Sequence, residues 1–289
     1  MKWIDYATPH SVREAVDLLN EAGDRARILA GGTDLLVQLR AGAHDLDLVV
    51  DGKGIPELNE LSYDPINGLT IGAAVPCYKI YENKAIEHAY PGLIDTATLI
   101  GGTLIQGRAS LGGNLCNAAP SGDSIPVMIA LGCTARISGP NGNREVPVED
   151  FCTGVRETVL QRGELLVSLH FPAPKSNEGA NYLRFIPRNE MDIAVAGVGS
   201  SVVLDNGNIK SARVALASVA PTPLYVKEIG DAIAGKPANE ETLQLAGQMA
   251  RDAARPITDM RGTIEYRRHL CDVLTRRSLQ IAIDRAKES

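Results

Sequence analysis

The pattern of apolar positions predicts a helix close to the start of the chain. Ser11 and Glu14 are spaced as in a capping box, and Gly23 is placed to end the helix. Between them, apolar side chains recur on one helical face, at Val12, Ala15, Val16 and Leu19. Apolar segments at 26–30 and 47–51 predict strands, with a further apolar segment between them. The first fifty residues are therefore predicted to form a small β-α-β unit.

The middle of the chain is predicted to mix strands with helices. Residues 91–133 are rich in Gly, Ala, Thr and Asn, and the segment 138–143 has the composition of a turn. The predicted elements are strands at 69–75, 134–137, 146–148 and 164–171, a helix at 76–89 and a short helix at 123–131.

The segment 172–179 contains two prolines and a glycine and is predicted to be a linker. Beyond it, Asn206-Gly207 is a type I′ hairpin signal. Strands are predicted at 181–186, 193–204 and 209–219, and helices at 224–235, 239–254 and 263–287. Strands followed by helices along the chain favour an α+β fold.

Composition narrows the class of protein. The 289 residues are 44% hydrophobic and 22% charged, with 29 basic and 35 acidic residues and a net charge of −6. A basic surplus and many aromatic side chains, which are typical of nucleic-acid binders, are both missing. No apolar run reaches the roughly 18 residues of a membrane span. The first residues also lack the apolar core of a signal peptide, so the sequence predicts a cytoplasmic protein.

The five cysteines and five histidines show no spacing that is typical of a metal site. No C-x-x-C pair occurs, which argues against an iron–sulfur cluster or a structural zinc within this chain. We expect buried, unreactive thiols and surface imidazoles.

Three glycine patterns come close to nucleotide-binding motifs, and each is incomplete. Residues 52–54 and 197–199 lack the third glycine of a dinucleotide-binding fingerprint. Gly230–Lys236 matches a P-loop, but Pro237 replaces the hydroxyl residue that would bind magnesium. We interpret all three as turns or the end of a helix.

Two other glycine pairs are stronger candidates for a phosphate site. Gly31-Gly32 follows a predicted strand, and Gly112-Gly113 lies in a segment with few charges. Without Cβ atoms, backbone N–H groups approach an anion closely, and Thr33 and Ser110 add hydroxyl donors. Two such loops, if they converge, hold a pyrophosphate without any lysine. The alternative is a pair of tight turns at strand ends.

Several sequence blocks carry a resemblance to a known family. In chain order they are LAGGTDL at 29–35, QGRASLGGNL at 106–115, APSGD at 119–123, Phe151, ELLVSL at 164–169 and RNEMDIA at 188–194. In this order and spacing the chain resembles the FAD-binding medium subunit of the molybdenum hydroxylases. That family includes the carbon monoxide dehydrogenase medium subunit and the flavin domain of xanthine dehydrogenase. The resemblance covers essentially the whole chain.

The resemblance implies an α+β protein with the FAD-binding fold of the p-cresol methylhydroxylase type. Two α/β subdomains hold FAD between them, and a C-terminal three-stranded antiparallel sheet with a helical bundle covers one side. On this plan the chain divides into an N-terminal FAD-binding subdomain at 1–55, a middle FAD-binding subdomain at 56–176 and a C-terminal medium-subunit domain at 177–289.

The resemblance also implies the residues that bind FAD, and it requires neither a catalytic residue nor a metal ligand from this chain. Those expected at the pyrophosphate are Leu29, Ala30, Gly31, Gly32, Thr33, Asp34 and Leu35 in one loop, and Ser110, Gly112, Gly113 and Asn114 in the other. Those expected around the flavin are Ile100, Asp123, Leu166, Arg184 and Asp192. Asp123 and Asp192 have structural alternatives, as a helix cap and as a surface charge at a strand end.

The implied function is electron transfer within a complex. A large partner subunit carries the molybdenum cofactor, a small partner subunit carries two 2Fe–2S centres, and this chain binds FAD non-covalently. The acceptor is NAD, a quinone, oxygen or another compound. Many members of the family double this heterotrimer. Two alternatives stay open: a flavoenzyme that oxidises its own substrate, and a scaffold that has lost FAD.

Two features bear on these expectations. Where relatives have paired arginines, this chain has Arg188-Asn189, which affects the charge near the flavin. Basic residues near the C-terminus are predicted to form either a solvated helix face or a docking surface for a partner; they are Arg261, Arg267, Arg268, Arg276, Arg277 and Arg285.

Overall fold

The chain folds around three sheets that follow one another in sequence, in a computed structural model that describes residues 3–289. The first sheet is parallel and consists of β1 (Asp5–Ala7), β2 (Ala26–Leu29) and β3 (Leu48–Asp51), with β3 in the centre. Its helices are α1 (Val12–Ala22) and α2 (Leu35–Arg40). Ser11 Oγ accepts a hydrogen bond from the Glu14 N–H at 3.2 Å, and Gly23 caps the other end of α1. The predicted β-α-β unit is confirmed.

The second sheet is antiparallel and occupies the middle of the chain. Its strands are β4 (Leu61–Asp64), β5 (Gly68–Gly72), β6 (Thr134–Gly139), β7 (Gly142–Pro147) and β10 (Leu165–Phe171), in the order β4-β5-β10-β6-β7. A separate hairpin pairs β8 (Cys152–Gly154) with β9 (Glu157–Thr158).

Six short helices accompany this sheet in the described part of the chain. They are α3 (Cys77–Tyr81), α4 (Lys84–Ala89), α5 (Pro91–Ala97), α6 (Thr103–Gln106), α7 (Leu111–Asn117) and α8 (Ser124–Ala130). The prediction of one helix over 76–89 was wrong. Asn83 accepts hydrogen bonds from the N–H groups of Ala85 and Ile86, and this side-chain cap starts a second helix.

The third sheet is antiparallel and contains one more strand than predicted. The order is β11 (Glu178–Phe185), β12 (Ala196–Asp205), β13 (Asn208–Ala217) and a two-residue β14 (Leu224–Tyr225). The hairpin at Asn206-Gly207 has φ values of 50° and 81°, as a type I′ turn requires. The helices α9 (Lys227–Ile233), α10 (Glu240–Ala253) and α11 (Ile264–Glu288) follow.

A partly buried ion pair connects the last helix to the middle of the chain. Arg285 of α11 donates to both carboxylate oxygens of Asp95 in α5, at 2.6 and 2.9 Å. The side chain of Asn181 and the backbone N–H of Tyr182 donate to the same carboxylate. One carboxylate therefore fixes α5, β11 and α11 relative to one another. The predicted boundaries near 55 and 176 fall between the sheets, and the division into domains stays a prediction.

The predicted basic surface near the C-terminus is wrong for two of its members. Arg285 pairs with Asp95, and the side chain of Arg267 is only 5% exposed. Arg267 donates to the carbonyls of Val195 and Ser218 and to Asp259, at 2.7, 3.1 and 2.7 Å. These two arginines therefore hold the fold together.

Within residues 3–289, no helix is long and apolar enough to cross a bilayer.

Replacing Arg267 is expected to destabilise the protein. Arg267→Met removes three hydrogen bonds from a charged donor, so the free energy of unfolding should fall by at least about 2 kcal/mol in urea denaturation. Arg277 is exposed on the same helix, and Arg277→Met should change that free energy by less than about 0.5 kcal/mol. Equal effects of the two substitutions would show that Arg267 has no structural role.

Candidate functional site

The first glycine loop leaves the parallel sheet at the carboxyl end of β2, where ligands bind in open α/β sheets. Leu29 and Leu35 anchor the two ends of the loop in a small apolar cluster with Leu46 and Val49. Ala30, Gly31, Gly32 and Thr33 are partly exposed. Asp34 is exposed at the start of α2, and its side chain does not cap the helix. The loop therefore presents backbone and small polar groups to solvent.

The second glycine loop leads directly into α7. Ser110 Oγ accepts a hydrogen bond from the Gly113 N–H at 3.0 Å and so caps the helix. Asn114 Oδ1 accepts hydrogen bonds from the N–H and hydroxyl of Ser124, at 3.3 and 2.7 Å. Ser110 and Asn114 therefore shape the loop and fix the start of α8.

The two loops meet at Gly31. A Cβ atom at Gly31 would lie 1.9 Å from the carbonyl oxygen of Arg108, which is two residues before Ser110. The Arg108 guanidinium also donates to the Gly31 carbonyl, at 3.4 Å. The convergence considered from the sequence is thus present, and only glycine permits it at this position.

Within each pair, the two glycines have different environments. A Cβ at Gly31 or Gly112 would collide with backbone atoms, those of Arg108 and Ala73 respectively. Gly32 has a φ of 81° and meets only leucine side chains, while Gly113 meets only the Ser110 hydroxyl. The first glycine of each pair therefore allows protein segments to pack, whereas a side chain at the second would crowd only neighbouring side chains.

A buried ion pair lies where the flavin end of the cofactor was expected. Arg184 donates to Asp123 at 2.5 Å and to the Leu99 carbonyl at 3.0 Å, next to Ile100. The Tyr182 hydroxyl donates to the other oxygen of Asp123 at 2.7 Å. Burial raises the pKa of Asp123, and the interactions with Arg184 and Tyr182 oppose that rise. Burial, followed by the nearby Asp123 carboxylate, raises the pKa of Tyr182 well above its usual value, so the phenol stays a neutral donor.

Leu166 and Asp192 occupy different surroundings from the glycine loops. Leu166 is 3% exposed in the core of the middle sheet. Asp192 accepts hydrogen bonds from the N–H groups of Arg188 and Ile193, and the Arg188 side-chain hydrogen bond lowers its pKa. These hydrogen bonds therefore stabilise the loop in which Asp192 lies. That loop reaches the expected flavin side through Met191, whose Sδ would lie 3.3 Å from a Cβ at Gly102.

Sequence reasoning missed Arg108 and Tyr182. An isolated arginine in a glycine-rich segment is usually solvated, so the sequence carries no signal for the role of Arg108. Tyr182 lies two residues before Arg184 on β11, and the period-two alternation of a strand places both side chains on one face. That two-residue spacing is the signal in the sequence that connects Tyr182 with Arg184. Two of the incomplete motifs are structural: 197–199 lies within β12, and residues 230–233 of the P-loop-like segment belong to α9.

Comparison with known proteins identifies the family. A family model described as "FAD binding domain in molybdopterin dehydrogenase" matches residues 2–174. The chain belongs to this family. A second model, "CO dehydrogenase flavoprotein C-terminal domain", matches residues 181–282. The family and the fold class predicted from the sequence are confirmed.

Individual relatives match over almost their full length. The xanthine dehydrogenase FAD-binding subunit of Escherichia coli O157:H7 is 31% identical over 282 residues, which are 96% of this chain and 97% of that protein. The carbon monoxide dehydrogenase medium chain of Afipia carboxidovorans is 30% identical over 283 residues, 98% of each protein. A solved chain of CO dehydrogenase from Oligotropha carboxidovorans superposes with a TM-score of 0.94 at 30% identity, covering 98% of this chain and 99% of that one.

The geometry of this member of the FAD-binding family fits the cofactor. Residues 30–33 of the first loop are partly exposed and carry small side chains or none, so a ligand can approach their backbone closely. At the other end, the Nε atom of Arg184 is buried and has no hydrogen-bond acceptor within residues 3–289. An unpaired buried donor is costly, so an acceptor supplied by a ligand is favourable there. No group of three His, Cys, Asp or Glu side chains in the described residues is arranged to hold a metal ion.

Substitution of Gly32 should separate its ligand role from backbone strain. Gly32→Val and Gly42→Val both place a β-branched residue at a positive φ, 81° and 71°, and therefore share the same kind of backbone strain. We expect Gly32→Val to weaken FAD binding at least about tenfold, because its side chain also crowds Leu29 and Leu36 and so displaces the backbone of the loop. Gly42 has nothing within 4 Å, and its variant should bind FAD normally. Fluorescence titration measures both, and equal affinities would show that the first loop is only a turn.

Proposed function

We propose that this chain binds one FAD non-covalently across the two glycine loops and serves as the electron-transfer flavoprotein of a molybdenum hydroxylase. The observation that carries the proposal is the contact at Gly31, which brings together loops from two separate sheets. Membership of the family and the subunit names of the relatives support the same function. When bound, FAD supplies the step that takes electrons from 2Fe–2S centres of a partner and passes them to NAD, a quinone, oxygen or another acceptor.

The residues of this chain would bind and orient the cofactor. The segment from Leu29 to Leu35 and the segment from Ser110 to Asn114 would hold the pyrophosphate with backbone N–H groups and hydroxyls. Ile100 and Leu166 would supply apolar contacts to the flavin. Asp123 and Arg184 would face its polar edge as a fixed pair, and Asp192 would hold the adjoining loop closed. Because Arg184 already pairs with Asp123, it offers the flavin a largely compensated charge.

The partners follow from the chain's place in the family. We propose a small iron–sulfur subunit, a large molybdenum subunit and a doubled heterotrimer in which like surfaces meet across a two-fold axis. The division at 55 and 176 is part of this proposal. We also propose the cytoplasm as the compartment, supported by five cysteines that are all free.

FAD release by acid should show that the cofactor is held without a covalent bond. Cys116 is the thiol nearest in sequence to the second loop, and burial raises its pKa to about 12, so it is no nucleophile at neutral pH. After precipitation with trichloroacetic acid, all flavin absorbance should appear in the supernatant, both for the wild type and for Cys116→Ser. Colour that stays in the wild-type pellet, but not in that of the variant, would contradict this.

Assembly with the iron–sulfur subunit should depend on apolar side chains beside the Met191 loop. Leu104 is 93% exposed and Met191 56% exposed, and Met191 lies against Gly102. Exposed apolar groups in one place indicate a protein contact. In co-expression, Leu104→Asp should reduce recovery of iron with this chain on size exclusion while FAD content is unchanged. Leu245→Asp, at a 39% exposed leucine of α10, is the control.

A second experiment, on the isolated chain, tests whether it depends on partner subunits for its electrons. The isolated chain should not bleach its flavin with any substrate of the complex, because it holds no iron–sulfur relay. Substrate-dependent bleaching of the isolated chain would instead support the alternative of a self-sufficient flavoenzyme. A colourless wild-type chain that takes up no FAD would support the scaffold alternative.

A further inference from the structure

A side-chain hydrogen bond joins the two helices that follow the glycine loops. Gln38 Nε2 donates to Asn117 Oδ1 at 2.8 Å, across 79 positions of sequence. Gln38 lies in the second half of α2, which begins at the first loop, and Asn117 is the last residue of α7, which begins at the second loop. The bond therefore lies about one helical turn beyond each loop.

His44 completes the hydrogen bonding of Gln38. Its Nε2 lies 2.9 Å from Gln38 Oε1, so both ends of the amide are engaged. Partial burial and the charges of Arg27 and Arg156 lower the pKa of His44. The lowered pKa favours the neutral ring, and His44 Nε2–H is the donor because Gln38 Oε1 can only accept. The bond is partly buried, which limits competition from water.

A third segment is anchored at the same place. The N–H of Arg156, at the tip of the β8–β9 hairpin, donates to the carbonyl of Ala118 at 3.0 Å. Both residues have positive φ, 63° and 45°, a conformation that non-glycine residues rarely adopt unless the surrounding structure requires it. The end of α7 is thus held from two sides, by the hairpin and by Gln38.

We propose that Gln38, Asn117 and His44 form a latch that sets the separation of the two glycine loops and thereby the affinity for FAD. The loops touch at Gly31 and Arg108, and the latch joins the helices that leave the loops about one turn further along. Two separated points of contact fix both the distance and the angle between the helices. A site that is already held in its binding geometry pays a smaller entropic cost of ordering when the ligand binds, and its affinity is therefore higher. These are positioning residues, and their role rests on the proposed binding of FAD between the loops.

A double-mutant cycle tests the latch. Gln38→Ala and Asn117→Ala should each weaken FAD binding about three- to tenfold, as expected for loss of one hydrogen bond. The double variant should be no weaker than Gln38→Ala alone, because that substitution already removes the bond to Asn117 together with the bond to His44. Asn117→Asp keeps an acceptor for Gln38 Nε2 and should restore the affinity to within about twofold of the wild type. Gln280→Ala, which removes an exposed hydrogen bond to Asp284 on α11, should have no effect.

The measurements are the dissociation constant for FAD by fluorescence titration and the melting temperature of the FAD-free chain. An affinity that falls with little change in that melting temperature supports the latch. A lower melting temperature with unchanged affinity would reduce the bond to a structural role and overturn the proposal. Loss of affinity in Asn117→Ala but not in Gln38→Ala would place Asn117 in direct contact with FAD, and would also overturn it.

The wild type separates this inference from the proposed function. If the wild-type chain binds FAD while both alanine variants bind it equally well, only the latch is refuted. If the wild-type chain binds no FAD at all, the proposed function is refuted and the latch with it.

Discussion

The structure depends on the close approach of two backbones at Gly31. The first loop ends a strand of the parallel sheet, and the second begins a helix beside the antiparallel sheet, so each belongs to a different folding unit. At their contact the Arg108 carbonyl occupies the space that a side chain at Gly31 would need. A methyl group there would push the loops apart, and the groove between them would widen. The absence of a side chain at Gly31 thus sets the shape of the proposed cofactor site.

Buried charge provides the second constraint. Asp95 holds Arg285 and the backbone of β11, and two residues further along that strand Arg184 pairs with Asp123. Because an unpaired charge is costly away from water, each of these groups specifies its partner. The C-terminal sheet therefore packs on the middle part of the chain in one orientation. In that orientation Tyr182 and Arg184 both contact Asp123, which lies between α7 and α8. The C-terminal sheet contributes neither glycine loop, but through Tyr182 and Arg184 it completes the proposed flavin end of the site.

Most elements of the fold were predictable because their signals are local. The capping box at Ser11, the hairpin turn at Asn206-Gly207 and the strand-then-helix pattern after residue 180 each depend on neighbours within a few positions. The prediction of a single helix over 76–89 was wrong, although the signal for the break is equally local. Asn83 caps a second helix, and the apolar pattern alone does not show that cap. The basic face near the C-terminus failed for another reason. Whether an arginine such as Arg267 faces solvent or carbonyl groups depends on segments about 50 and 70 residues away.

The sequence by itself determined the family, the cofactor class and the two loops, because closely spaced glycines with hydroxyl and amide neighbours form recognisable blocks. Only the tertiary structure decided what each glycine does, since Gly31 and Gly112 pack against backbone from other segments while Gly32 and Gly113 do not. It also decided that Gln38 reaches Asn117 and that Asp123 reaches Arg184. Hydrogen bonds across 60 to 80 positions leave no periodicity in a single sequence, because they arise from how separate sheets and helices pack and not from the spacing of residues along the chain.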